Sequence, residues 1–387
     1  MEKLICPTCR QVHPDLADDN CPACGGILSR SFANSDEYLR EAVAKVLDER
    51  KRTSLEGLVK GLNCIIINTE PDKQRATVEE FLAFTGLDVA EAFEDSEFRT
   101  VVLKAEGSAD FLIRARKAIN PFLPLNAFPK TGHVPNTRLE TFVFETTDLE
   151  QYVSIQKERG IAFLTPETVS TDNYFFMQTA PSKYTGNSIG LIQWRRIAGR
   201  YASPGSKPLS WQFRKLHDSV AQNVKELDHA ATRVRAEDRD AAIIEFMNLT
   251  NYNFDFAIYV KVFNSITNVA RFSPKDSVMV FTSGISPYMD DERSGPTEKF
   301  VHHYGPRVHH IAFRTEAIEE TVTALKNKGM NFLLDLVGSA EEGLKQIFSC
   351  PSENTLLVNE YIHRYGDFDG FFTRSNVTLL TGATARQ

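Results

Sequence analysis

Two stretches of this chain repeat one another, and this restricts the chain to folds built from two related units. TFVFETTDLEQYVSIQKERGIAFL occupies 141–164, and HIAFRTEAIEETVTALKNKGMNFL occupies 310–333. Seven residues recur 169 positions later, among them Phe144 as Phe313 and Gly160 as Gly329. Self-similarity at one fixed spacing indicates a duplicated fold rather than shared composition.

Each copy alternates predicted strands with predicted helices. LNCIIIN and LDHAATRV open the two copies as strands, and the helices TVEEFLAFTGL and AAIIEFMNLTNY follow them. Further strands complete each unit, which predicts an α+β fold made of tandem βαβββ repeats. We expect Ser35 to cap the helix before the first repeat. The predicted segments are a cysteine-rich module at 1–30, a connecting helix at 31–56, a first repeat at 57–200, a linker at 201–224 and a second repeat at 225–387.

Three positions of the repeat carry metal-ligand chemistry in the second copy alone. The equivalent positions are Cys64, Thr141 and Gln193 in the first copy and His229, His310 and Glu360 in the second. Two imidazoles and one carboxylate form the facial triad of non-haem Fe(II) oxygenases. The sequence therefore predicts one metal site, in the second repeat.

The setting of these residues supports that interpretation. Strand alternation along VHHIAF predicts that His310 faces one way and His309 the other. Glu360 lies in the apolar strand LLVNEYI. A buried carboxylate is costly unless it is paired or bound to a metal.

The N-terminal module carries a second metal-binding pattern, CPTC-x11-CPAC. Its ligands would be Cys6, Cys9, Cys21 and Cys24. Four thiolates predict a closed structural zinc site in a ribbon too small to have a core of its own. Such a ribbon is a candidate docking element for another protein or domain. We expect a cytoplasmic chain with reduced thiols, in which four clustered cysteines bind metal rather than form disulfides.

Charge and hydropathy exclude some classes of partner. The net charge is −7 and the isoelectric point about 5.8, so there is no basic surplus for neutralising nucleic-acid phosphates. No apolar run approaches the length of a membrane span, and no secretory signal is visible. These observations predict neither a membrane partner nor a nucleic-acid partner. They leave a homo-oligomer open.

At these residues the chain resembles the 4-hydroxyphenylpyruvate dioxygenase family of the vicinal oxygen chelate superfamily. The resemblance covers roughly residues 57–375. LDHAATRV and GPRVHHIAFRT resemble the strands that carry the family's two histidine ligands. LKQIFS and NEYIHR resemble its substrate strand and glutamate strand, and GDFDGFF resembles the start of its C-terminal helix.

The resemblance implies an activity and a set of residues. Fe(II) would be held by His229, His310 and Glu360, while a 2-oxo acid chelates two further positions and leaves the last for O2. Oxidative decarboxylation would be coupled to hydroxylation, and the first repeat would be metal-free. The residues that the resemblance implies at the substrate are Gln346, Phe348, Phe371, Ser283 and His309.

Some positions depart from the family's pattern. His309 stands where the family has glutamine, Ser283 lies in a strand that lacks its proline and asparagine, and Val377 replaces an aromatic residue. These departures predict a substrate that can differ from 4-hydroxyphenylpyruvate. Extradiol ring cleavage, another metal-dependent reaction of the superfamily, and non-catalytic ligand binding stay open as alternatives.

Overall fold

The computed structural model describes residues 33–214 and 217–387, together with the backbone of two short N-terminal strands. These strands, β1 (Leu4–Ile5) and β2 (Val12–His13), pair in antiparallel fashion. The four clustered cysteines lie outside the described residues. The zinc ribbon therefore stays a prediction.

The first repeat forms a sheet that curls into a half-barrel, here called the first half-barrel. Its strands are β3 (Val59–Asn68), β4 (Asp88–Glu94), β5 (Phe98–Lys104), β6 (Asp110–Arg116), β7 (Arg138–Thr146), β8 (Val169–Ser170), β9 (Tyr174–Gln178), β10 (Ser188–Trp194) and β11 (Lys207–Pro208). Their order across the sheet is β11-β4-β5-β6-β3-β7-β10-β9-β8. The strands that open the two βαβββ units, β3 and β7, therefore lie side by side at its centre.

The second repeat forms the second half-barrel in the same way. Its strands are β12 (Val224–Arg233), β13 (Asn253–Val260), β14 (Ser265–Arg271), β15 (Val278–Gly284), β16 (Arg307–Thr315), β17 (Val337–Ser339), β18 (Leu344–Phe348) and β19 (Val358–Arg364). Their order is β13-β14-β15-β12-β16-β19-β18-β17, with β12 and β16 adjacent at the centre. This architecture confirms the predicted α+β fold with tandem βαβββ units.

Eight helices accompany the two sheets in the described residues. They are α1 (Glu37–Arg52), α2 (Gln74–Phe84), α3 (Leu149–Glu158), α4 (Ser219–Asn223), α5 (Arg239–Leu249), α6 (Pro296–Tyr304), α7 (Ile318–Asn327) and α8 (Arg374–Ala383). None of them is long and apolar enough to cross a membrane.

One prediction about the segments around the repeats needs correction. The residue before α1 is Asp36 rather than Ser35, and its side chain forms no capping hydrogen bond. The segment predicted as a linker contains the short strand β11, which pairs with β4, and the short helix α4. Helix α1 packs on α5 of the second repeat, where the buried Arg50 donates to the Met247 carbonyl at 3.0 Å.

Strand alternation divides the buried side chains between the half-barrel interiors and one core that both repeats share. On β3, Ile65 and Ile67 face the shared core, whereas Cys64 and Ile66 face the first interior. In the shared core, Phe111 stacks on Phe313 with ring centroids 5.8 Å apart. The two half-barrels are thus packed back to back, and each keeps an interior of its own.

Arginines at equivalent positions join the half-barrels reciprocally. Arg138 on β7 donates to the Pro306 carbonyl, and Arg307 on β16 donates to the Thr137 carbonyl at 2.9 Å. Both donors and both acceptors are 169 positions apart. Such a reciprocal contact is what a two-fold axis between two like units produces.

A second reciprocal pair follows the same pseudo-two-fold axis. Arg159, just after α3, donates to the Asn248 carbonyl at 3.2 Å. Lys328, just after α7, donates to the Ala83 carbonyl at 2.7 Å. Each cation therefore reaches the C-terminal end of a helix in the opposite repeat, where partial negative charge accumulates.

Candidate metal centre

Three neighbouring strands of the second half-barrel bring the predicted ligands together. His229 lies on β12, His310 on β16 and Glu360 on β19. In the ladders, Ala231 pairs with His310 and Ala312 pairs with Glu360. The ligands therefore come from adjacent strands at nearly the same height, and strand alternation turns all three into the interior.

The ligand atoms are close enough to bind one ion. One ligand atom from each of the three residues lies within 4.8 Å of the other two. The Glu360 Oε2 atom is 3.1 Å from His229 Nε2 and 3.4 Å from His310 Nε2. Neighbouring ligands bound at roughly 2.1 Å at right angles lie about 3.0 Å apart, so the spacing fits a small divalent ion.

The state of His229 is a further test of that fit. Its Nε2 atom is buried and has no hydrogen-bond partner among the described residues, although Glu360 is near. A buried polar atom without a partner is costly, so it indicates a missing ligand. The donor set and this orphaned nitrogen both fit a metal ion.

A carboxylate behind His229 holds the ring in place. The Asp228 Oδ1 atom lies 2.8 Å from His229 Nδ1, which leaves Nε2 directed at the site. Arg364 on β19 donates to both oxygens of Asp228. A carboxylate that accepts the second N–H of a metal-bound histidine fixes the tautomer and makes the ring a stronger ligand.

Glu360 is oriented by Gln346, which the resemblance had assigned to the substrate. Gln346 Nε2 donates to Glu360 Oε1 at 2.7 Å and to the Phe371 carbonyl at 3.1 Å. Its Oε1 atom accepts from Asn376 Nδ2 at 3.0 Å. With its amide engaged by protein groups, Gln346 positions the carboxylate ligand.

The electrostatics of the two histidines differ. Burial opposes protonation of His229, but Glu360 and Asp228 outweigh it and raise the pKa of His229 to about 9. Burial, with His309, His229 and Arg233 nearby, lowers the pKa of His310 well below its usual value. His310 is therefore a neutral imidazole, whereas His229 must lose a proton before it can bind a metal.

A β-bulge places His309 differently from the sequence prediction. Ala231 pairs with His310 while Thr232 pairs with Val308, so His309 is the extra residue. Its Nδ1 atom lies 2.8 Å from His310 Nδ1, and its Nε2 lies 2.8 Å from Gln387 Oε1. The prediction that His309 faces away from His310 was wrong, because it assumed unbroken alternation.

The contact between His309 and His310 also determines which of the two rings donates the hydrogen bond. When His310 uses Nε2 for a metal, its Nδ1 carries the proton and donates to His309. His309 then donates from Nε2 to Gln387 Oε1. His309 is thus suited to orienting the metal ligand His310.

The other residues implied at the substrate are placed as follows. Phe348 lines a cavity beside the ligands, with its ring centroid 4.8 Å from that of His310. Phe371 lies edge-on to His229 at 5.9 Å. Ser283 does not line this cavity, because alternation along β15 turns the neighbouring Thr282 inward instead.

The first half-barrel lacks the donor set, but strand register corrects one equivalence. Val143 pairs with Gly190 where Ala312 pairs with Glu360, so Gly190 rather than Gln193 occupies the carboxylate position. A Cβ atom at Gly190 would lie 2.9 Å from the Val143 side chain and 3.0 Å from Phe176. The position has no room for a carboxylate. Gln193 instead accepts from the Leu149 N–H at 2.8 Å.

Sequence reasoning missed three polar residues of the site, namely Asp228, Arg364 and Arg233. Asp228 directly precedes a ligand, which is a usable signal for a carboxylate behind it. Arg233 lies four residues after His229 on the same strand face, so alternation alone would have placed it in the interior. The pairing of Arg364 with Asp228 could not be inferred from the sequence, because it depends on how β19 is placed in the sheet relative to β12.

Comparison with known proteins identifies the fold. No family model matches the chain. A mutant of 4-hydroxymandelate synthase from Streptomyces coelicolor aligns with a TM-score of 0.59 at 16% identity, over 85% of this chain and 99% of that protein. A xylose isomerase-like TIM barrel/4-hydroxyphenylpyruvate dioxygenase fusion protein aligns with a TM-score of 0.61 at 13% identity, over 90% of this chain and 58% of that protein.

A Mn(II)-bound glyoxalase from Novosphingobium aromaticivorans aligns with a TM-score of 0.47 at 12% identity, over 81% of this chain and 85% of that protein. At the identities of the first two matches the likeness concerns the fold. The chain therefore shares its tandem half-barrel fold with 4-hydroxymandelate synthase and with the 4-hydroxyphenylpyruvate dioxygenase fusion protein.

Proposed function

We propose that this protein is a non-haem Fe(II) dioxygenase that couples oxidative decarboxylation of a 2-oxo acid to hydroxylation. The observation that carries the proposal is the buried set of His229, His310 and Glu360, with ligand atoms within 4.8 Å of one another. Two histidines and one carboxylate with open positions are typical of Fe(II) oxygenases. Bound Fe(II) would supply the coordination positions at which a 2-oxo acid and O2 react.

The residues around the ligands support such a reaction by orienting them and excluding water. Asp228 and Gln346 hold His229 and Glu360 through hydrogen bonds of 2.8 and 2.7 Å. Phe348 and Phe371 are buried and cover the ligand rings with apolar surface. A dry, preorganised site strengthens the electrostatic interactions on which the reaction depends.

The test is turnover of the Fe(II)-loaded protein. We expect one CO2 released for each O2 consumed when a panel of alkyl and aryl 2-oxo acids is offered. Activity should be lost in Glu360→Ala and kept in Gln193→Ala, since Gln193 is not at a position equivalent to any of the three metal ligands. O2 uptake with a catechol and none with any 2-oxo acid would replace the proposal by ring cleavage. Ligand binding without turnover would leave a binding protein.

A further inference from the structure

An arginine is buried inside the cavity that holds the metal ligands. Arg233, on β12, is 5% exposed, and it lines this cavity together with His310 and Glu360. Because side chains alternate along β12, Arg233 lies on the same face of the strand as His229, which is the face toward the interior. A guanidinium in such a position is an unusual feature of a protein interior, because buried charges are normally paired.

Among the described residues, Arg233 has no acidic partner. Its Nη2 atom donates to Thr384 Oγ1 at 2.8 Å, and its guanidinium lies 4.7 Å from the centre of the Phe300 ring. Its Nη1 atom is buried without a hydrogen-bond partner, and no carboxylate of the described residues forms an ion pair with it. Burial lowers the pKa of Arg233 to about 9, so the group is still a cation at neutral pH.

A second unpaired donor stands opposite this cation. Thr282 on β15 pairs directly with Arg233 in the β12–β15 ladder, and it lines the same cavity. Its Oγ1 atom is also buried without a partner. Two unsatisfied donors facing one cavity, one of them charged, form the complement of a carboxylate.

The size of the cavity restricts the size of the molecule that carries this carboxylate. Its volume is about 40 Å³, which holds roughly three water molecules. Thr267, Thr297 and Thr381 line it together with apolar side chains such as Phe348 and Leu380. A cavity of this size has room for the end of a short chain but not for an aromatic ring.

We infer that Arg233 and Thr282 bind a second carboxylate of the substrate, so that the protein takes a short 2-oxo dicarboxylic acid. The 2-oxo acid end would lie at His229, His310 and Glu360, and the far carboxylate would lie at the arginine. The substrate class rests on the function proposed above, whereas the anion subsite itself does not depend on turnover.

The experiment compares acids that differ in one group. 2-Oxoglutarate and 2-oxopentanoate have the same chain length, and so do 2-oxoadipate and 2-oxohexanoate, but only the first of each pair has a second carboxylate. Their dissociation constants are measured by anaerobic calorimetry on the Fe(II)-loaded full chain. Glutarate is titrated into the metal-free protein as a probe of the subsite alone.

We expect at least one diacid to bind on the order of 10- to 100-fold more tightly than its monoacid partner, since hydrogen bonds to charged groups are the strong ones. Arg233→Met should reduce this preference to less than about threefold, and Thr282→Val should reduce it in part. The matched controls are Arg114→Met and Thr100→Val in the first half-barrel, which should keep the full preference. Thr282→Val preserves the test if Arg233→Met fails to fold.

The outcomes separate the two proposals. Equal binding of diacids and monoacids, or a preference that survives in both Arg233→Met and Thr282→Val, overturns the subsite even if the protein consumes O2. An Arg233-dependent preference and glutarate binding support the subsite even if no 2-oxo acid is turned over, in which case the dioxygenase assignment fails alone.

Discussion

The carboxylate of Glu360 is the ligand on which metal binding most depends, because it supplies the site's negative charge and lies close to both histidines. We expect Glu360→Ala to weaken iron binding more than about 100-fold. Removal of a residue that only hydrogen-bonds to a ligand typically weakens metal binding by about 10- to 100-fold, and removal of a ligand should cost more. Gln193→Ala is the control, which loses one hydrogen bond to Leu149 and about 1 kcal/mol of stability but no metal. Elemental analysis of both purified variants decides the assignment, and full iron in Glu360→Ala would refute it.

His229 gives metal binding a pH dependence whose sign follows from its neighbours. Its pKa in the metal-free protein is about 9, above the ordinary value of 6.5. Below pH 6.5 its protonated form stabilises the metal-free fold, and this contribution is lost as the pH rises through about 9. At pH 7.5 a metal must therefore displace one proton.

We expect calorimetric titrations in buffers of different ionisation enthalpy to report about one proton released per metal at pH 7.5. At pH 10 the release should be close to zero. Zero release at both pH values would mean that His229 is neutral in the metal-free protein.

At the scale of an element, strand β18 influences metal binding through its contact with the ligand on strand β19. Gln346 donates to Glu360 across the pair, so Gln346→Met should weaken metal affinity by about 10- to 100-fold while leaving all three ligands in place. Gln178→Met is the matched control, since it removes a buried amide from β9 of the first half-barrel. Competition with a chelating dye measures both affinities, and equal affinities would remove Gln346 from the site.

The start of α7 is less favourable than that of its counterpart. Asp148 accepts from the Gln151 N–H at 2.9 Å and caps α3, whereas the equivalent Ala317 has no capping side chain and a φ of 44°. Asparagine tolerates this left-handed backbone conformation better than alanine does. Ala317→Asn should therefore raise the free energy of unfolding by about 0.5–1 kcal/mol.

Asp148→Ala, by the same reasoning, should lower the free energy of unfolding by about 1 kcal/mol. Urea titrations of both variants provide the measurement. A destabilised Ala317→Asn protein would show that α7 does not begin as described.

The elements also explain what could be predicted from sequence. The positions of His229 and His310 followed from the repeat, because a duplicated strand keeps its place in a duplicated sheet. His309 was misplaced because a bulge adds a residue that alternation does not anticipate. Gln193 was misplaced because β10 pairs with β7 in a register that only the ladder reveals.

At the scale of the whole molecule, the reciprocal arginines hold the half-barrels together. Arg138→Met and Arg307→Met should each lower the free energy of unfolding by about 2–3 kcal/mol, because each leaves a buried carbonyl without its donor. The exposed Arg40→Met is the control and should change it by less than about 0.5 kcal/mol. Chemical denaturation gives these values.

The double variant adds a further check. Arg307 lowers the pKa of Arg138 by charge repulsion, after the larger effect of burial, so each single variant already relieves the repulsion between the two cations. The double variant can relieve it only once, so the combined loss should be larger than the sum of the single losses. An additive result would mean that the two clamps act separately.

The placement of Arg307 has a mechanical consequence. It lies three residues before His310 on the same strand, so the contact that ties the half-barrels together and one metal ligand share a short rigid segment. The Arg307 contact with the first half-barrel therefore helps to fix the strand that carries His310. A metal ion bound by His310 would hold the same strand, and an ion that binds only the folded protein would stabilise both half-barrels together.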